Sequence, residues 1–170
     1  MQSALPNVID SPRRKGKSRR KQAMKQTMRA SVVATGNKLQ VKTGSRGFEI
    51  TFDEPEDSGG GNTGMNPVEG LLCALGACNT IATLIFAGAS KTGIDSLEVD
   101  LEGDIDPDGF MGLNPNARNG FEEIRISVNA KGPDASALRE VIDQAERQCP
   151  VSDTVKNPVP VIVTSVRVSD

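Results

Sequence analysis

Histidine, tryptophan and tyrosine are absent from these 170 residues, and cysteine occurs only three times. Without histidine the chain cannot build a Ser-His-Asp or Cys-His triad, an imidazole general base or a His-ligated metal site. Catalysis, if present, rests on Cys, carboxylates, Lys or Arg. Cys73, Cys78 and Cys149 form no CxxC pair and supply at most three thiolates, so no zinc site is expected. Three cysteines cannot all pair internally, which sets aside a disulfide-stapled secreted fold. No P-loop or GxGxxG follows a strand, so a bound nucleotide cofactor has no support. No apolar leader precedes the first polar and basic residues, and a reducing, cytoplasmic compartment is expected.

Charge is distributed unevenly. Arg13, Arg14, Lys15, Lys17, Arg19, Arg20, Lys21 and Lys25 stand against Asp10, leaving +7 on residues 1–26 and −9 on the rest. Such a basic tail can engage nucleic acid or an anionic surface by counterion release. A solvated extension is the preferred reading, since blocks of like charge are commonly solvated and no aromatic residue is interleaved for base stacking. Residues 27–170 then form one domain of ordinary composition.

Short apolar runs at 31–34 and 38–42 and the alternation of residues 48–52 predict an antiparallel three-strand meander. A glycine-rich loop, Ser58-Gly59-Gly60-Gly61-Asn62, follows. Asn66 as N-cap with Pro67 at the first helical position then predicts a helix over 67–87. Residues 70–89 carry no charge, long enough to span a bilayer. Gly76, Asn79, Thr80 and Thr83 favour the core helix of a soluble domain instead, and no membrane span is expected. A helix apolar all round exceeds what one small domain can cover, so a homodimer is expected, the partner covering the other face.

Leu97, Val99 and Leu101 alternate with Glu98, Asp100 and Glu102, predicting a half-solvated strand over 96–103. A long loop, 106–120, carries Phe110, Met111 and Leu113 and is a candidate lid or dimer contact. Another strand is expected over 121–130. Asp134 should cap a second helix whose stripe of Leu138, Val141, Ile142 and Ala145 is extended by Cys149. Pro150, Pro158 and Pro160 predict an irregular crossing into a last strand, 161–168. Cys73 and Cys78 lie about 140° apart on one helix and cannot pair there. Cys73 reads as core, while Cys78, after Leu75-Gly76-Ala77, meets Cys149 if the two helices pack.

The segment GMNPVEGLLCALGACNT, followed 71 residues after Cys78 by Cys149-Pro150-Val151-Ser152, resembles the OsmC/Ohr family of osmotically inducible and organic-hydroperoxide-resistance proteins. The resemblance covers about residues 27–170. It implies an α+β fold of antiparallel strands around two central helices, interwound as a homodimer with active sites at the interface. It further implies a thiol peroxidase acting on organic or lipid hydroperoxides, with Cys78 peroxidatic and Cys149 resolving, and a lipoyl-type dithiol as external reductant. Family members specialised for hydroperoxides place an arginine near the thiol and a glutamate directly after the helix-start proline. Lys38 stands at the first place here, and at the second Val68 intervenes before Glu69. The alternative is a non-catalytic relative that senses oxidation or binds an apolar ligand.

Overall fold

A computed structural model describes residues 25–169; the basic-tail reading therefore falls outside the described residues apart from 25 and 26. Strands β1 (Ser31–Ala34), β2 (Val41–Ser45) and β3 (Phe48–Phe52) form the expected antiparallel meander, in the order β1-β2-β3. Arg46 and Gly47, both at positive φ, make the tight β2–β3 turn. The second sheet pairs β4 (Ser96–Asp104) with β5 (Glu123–Lys131), antiparallel over nine residues. Val99 faces Val128 and Leu101 faces Ile126 across that ladder, while Glu98, Asp100 and Glu102 point to solvent. Cross-strand apolar pairs on one face fix the register, because a one-residue slip would turn all of them outward.

Helix α1 (Pro67–Ser90) runs three residues beyond the predicted end and packs against α3 (Ala135–Gln148), β4 and α4 (Pro150–Lys156). Its buried stripe, Leu75, Asn79, Thr83 and Ala87, repeats every four residues and meets Leu138, Val141, Ala145 and Cys149. Gly76 lets the helix approach the sheet: a Cβ there would fall 2.5 Å from Leu101 Cδ1. Although α1 is long and apolar enough to cross a membrane, these contacts make it the central helix of an α+β fold. Its opposite face, with Ile81, Leu84 and Ile85, stays exposed.

Three expectations are corrected. Cys73 is exposed, because it shares the outward face of α1 with Ala77 and Ile81. Pro150 starts α4 instead of an irregular crossing; its fixed φ and missing N–H suit the first helical position. Residues 161–168 form no strand: Val161, Ile162, Val163, Val166 and Val168 lie exposed and pair with neither sheet among the described residues. The loop 106–120 contains one short helix, α2 (Pro107–Phe110), and leaves Phe110, Met111 and Leu113 exposed.

Asp53 organises the glycine-rich loop before α1. It is buried, and its carboxylate accepts the Thr63 hydroxyl at 2.7 Å, the Glu54 N–H at 2.9 Å and the Gly61 and Thr63 N–H groups at 3.1 Å. The Thr63 hydroxyl leads in holding this carboxyl at about 2 against an ordinary 3.8; burial opposes it, and the three N–H groups reinforce it. Gly60 packs so tightly on the Glu54 backbone that a Cβ has no room. A pKa depressed on folding adds stability that is complete above 3.8 and fades as pH falls towards 2. Asp53→Asn should therefore lower the melting temperature by about 3–8 °C at neutral pH and flatten the acid limb of melting temperature against pH. An unaltered acid limb would show that Asp53 does not carry it.

Candidate functional site

Asn66 caps α1 through a reciprocal box: its Oδ1 accepts the Glu69 N–H at 2.8 Å, and Glu69 Oε2 accepts the Asn66 N–H at 2.8 Å. Three helical turns later Cys78 sits at the edge of the buried stripe, half-buried. Cys149 closes α3 and opens α4, with no exposed surface, and its Sγ accepts the Ser152 N–H at 3.4 Å. The packing of α1 on α3 and α4 sets the two thiols beside one another, with the Val151 N–H close by.

The two thiols are driven apart in acidity. Burial pushes the Cys78 thiol up, the bonded Cys149 sulfur pushes it further, and the Val151 N–H only partly offsets this. Burial also opposes ionisation of Cys149. There it is outweighed by the Cys78 thiol, the Ser152 hydroxyl and the Ser152 and Val151 N–H groups, which hold Cys149 below its ordinary value. The opposed shifts mean that the two protons leave in separate steps that belong to the pair as a unit.

Two buried polar residues, Asn79 and Ser152, to which the sequence reading gave no role at the site, complete this corner. Asn79 Nδ2 donates to Leu75 O at 3.0 Å and to Ser152 Oγ at 3.1 Å. The available signals were a lone amide within an uncharged helix and a serine three residues after a cysteine that precedes proline, the spacing of an N-cap bond.

Lys38 and Glu69 do not join the pair within the chain. Lys38 takes a left-handed φ of 47° and donates from Nζ to Gly60 O at 2.8 Å, which fastens the β1–β2 turn to the glycine loop. Glu69 is spent in the cap. Of the arginines, Arg125 is held by Asp104, Glu123 and Glu102, and Arg46 lies over the Phe48 ring. Among the described residues no lysine or arginine contributes to the ionisation of either thiol.

The α+β domain thus sets two thiols side by side, one half-buried on a central helix and one sealed at a helix junction. The chain belongs to the OsmC-like protein family, whose profile matches residues 59–164. It is 26% identical over 139 residues to the organic hydroperoxide resistance protein of Xanthomonas axonopodis pv. citri, covering 79% of this chain and 92% of that one. An uncharacterized protein of Acinetobacter baylyi is 27% identical over 134 residues, covering 78% and 88%. Among solved structures, an OsmC-like protein from Mycoplasma pneumoniae superposes with a TM-score of 0.67 at 23% identity, covering 79% of this chain and 91% of that one. An organic hydroperoxide resistance protein OsmC from Legionella pneumophila gives 0.59 at 17%, covering 79% and 93%. These neighbours share the fold of antiparallel strands and helices described above.

The thiol pair makes a pH prediction. In a Cys73→Ser variant, which keeps only the pair, ultraviolet thiolate absorbance should rise in two steps, one below and one above the ordinary thiol value of about 8.5. A single step of two protons at the ordinary value would show that the sulfurs do not interact.

Proposed function

We propose that the chain is a cysteine-based thiol peroxidase of peroxide defence, reducing organic or lipid hydroperoxides. One observation carries the reading: Cys78 and Cys149 lie side by side at the α1–α4 junction, with Cys78 the more accessible of the two. The relatives called organic hydroperoxide resistance proteins support the class of reaction.

Cys78 attacks the distal peroxide oxygen. The O–O bond breaks, Cys78 becomes a sulfenic acid, and the departing alkoxide takes a proton to leave as alcohol. As Cys78 attacks, its own proton can pass to the neighbouring Cys149. Cys149 then attacks the sulfenic sulfur, water leaves, and the Cys78–Cys149 disulfide forms. A lipoyl-type dithiol returns both thiols by exchange and is itself oxidised to a disulfide.

In this reading the active unit is an interwound homodimer in the cytoplasm. The exposed apolar face of α1, the outward Val32, Val33 and Ile50 of the meander and the unpaired residues 161–168 give a second copy much to cover. Lys38 supplies positive charge at the glycine loop, and Glu69 fixes the start of the helix that carries Cys78. The second reading, a redox sensor with negligible turnover, is favoured by the engagement of Lys38 and Glu69 elsewhere and by the upward push on Cys78.

With an organic hydroperoxide and dihydrolipoamide, Cys78→Ser should abolish turnover, while Cys149→Ser should allow one oxidation per site without recycling. Full activity in the Cys78 variant ends the peroxidase proposal, and a reversible disulfide without turnover selects the sensor. Lys38→Ala should slow Cys78 oxidation when assayed well below the melting temperature of the variant, which loses the Gly60 bond. An undiminished rate would confine Lys38 to holding the loop.

A further inference from the structure

Asn79 directly follows the reactive-site cysteine Cys78, yet points the other way, into the protein. Its amide is 6% exposed and Ser152 is 3% exposed, so neither exchanges partners with bulk water. Leu75 O, 3.0 Å from Nδ2, can only accept, which fixes the nitrogen of the amide towards it. The same nitrogen therefore donates to Ser152 Oγ, 3.1 Å away. That oxygen already accepts, so the serine proton is free to turn towards the adjacent Cys149 sulfur, which receives the Ser152 N–H at 3.4 Å. Asp143 and Glu146 of α3 line a cavity of about 140 Å³ shared with Asn79 and Thr83, and Glu146 is paired with Lys156. Asn79 and Ser152 thus form a buried polar link between the core of α1 and Cys149.

We propose that Asn79 is a positioning residue that, through Ser152, makes Cys149 the leaving sulfur when the Cys78–Cys149 disulfide is reduced, so that the external dithiol attacks Cys78 alone. This rests on the disulfide of the proposed cycle. The incoming thiolate bonds to Cys78 Sγ, the S–S bond breaks, and its electron pair goes to Cys149 Sγ, where the serine O–H and the N–H await it. The second thiol of the dithiol loses its proton and attacks the incoming sulfur. The mixed disulfide breaks, Cys78 leaves as thiolate, and the dithiol closes to its own disulfide. Both protons of the dithiol end on the two cysteines. A leaving thiolate that is better stabilised departs faster, and a sulfur with no exposed surface cannot be reached by an outside nucleophile. Both effects select the same sulfur.

The test starts from protein oxidised with diamide, so it does not depend on any reaction with peroxide. In the first arm, the oxidised wild-type protein is exposed briefly to glutathione, quenched in acid, alkylated under denaturing conditions and peptide-mapped. Glutathione should be on Cys78 and the freed thiol on Cys149; glutathione on Cys149, or shared equally, overturns the proposal. In the second arm, the rate of disulfide reduction by dihydrolipoamide is compared across variants that melt cooperatively. Asn79→Leu and Ser152→Ala should each slow it by about five- to twentyfold, the range expected when a hydrogen bond to a developing charge is lost. The double variant should be no more than about twofold slower than Ser152→Ala, because Asn79 acts through the serine. The lower step of the thiolate titration should rise in both single variants, which a merely structural role would not produce. An unchanged rate in Asn79→Leu, or effects that multiply, overturns the relay. Loss of hydroperoxide turnover with these results intact would sink the peroxidase proposal and leave the relay standing. If diamide yields no Cys78–Cys149 disulfide, both fail.

Discussion

The hydrogen bond from Asn79 to Ser152 ties the middle of α1 to the first turn of α4, and the meeting of Cys78 with Cys149 depends on that junction. The residues that carry it are 73 positions apart in the chain, so local helix preferences cannot create it. A buried amide or hydroxyl left unpaired costs about 1–3 kcal/mol, and the α1–α4 alignment that satisfies both groups therefore excludes neighbouring ones. Apolar packing of Leu75 and Ala87 against Leu138, Val141 and Ala145 brings the helices together; the polar link selects their register.

The second constraint is the surplus of apolar surface. One stripe of α1 is covered by its own chain, while Ile81, Leu84 and Ile85 remain exposed along the other, as do the valines of β1 and of residues 161–168. The hydrophobic effect scales with the area withdrawn from water, so so much exposed apolar surface favours a partner surface. An interwound homodimer, as proposed, satisfies α1 and the unpaired terminal segment with the same contact. It also offers a route by which charge absent from the thiol corner of one chain reaches it from another.

Much of the fold was legible because its signals are local. The meander, the Asn66-Pro67 start of α1, the alternating β4 and the Asp134 cap each rest on a few consecutive residues. The residues alone let Cys78 meet Cys149 only if the helices pack, the family resemblance supplied their pairing, and the packing sets the two side by side. What failed depended on context. Proline reads as a breaker until a residue before it can cap, and Cys149 was not read as a cap, so α4 went unforeseen. Cys73 was placed in the core since every face of α1 is apolar, and sequence does not say which face its own chain covers. The run 161–168 has strand composition, but a strand exists only where another supplies its ladder. Asn79 and Ser152 gained meaning only from being brought together, as did Lys38, whose ammonium the glycine loop captures.

The central claim is that Cys78 and Cys149 form one redox unit and that Cys73 stands outside it. The most direct measurement is addition of one equivalent of an organic hydroperoxide per reduced chain, with each cysteine then assigned by mass spectrometry. The account predicts one Cys78–Cys149 disulfide per hydroperoxide consumed, with Cys73 still a free thiol. Unreacted Cys78, or a disulfide that includes Cys73, would contradict it.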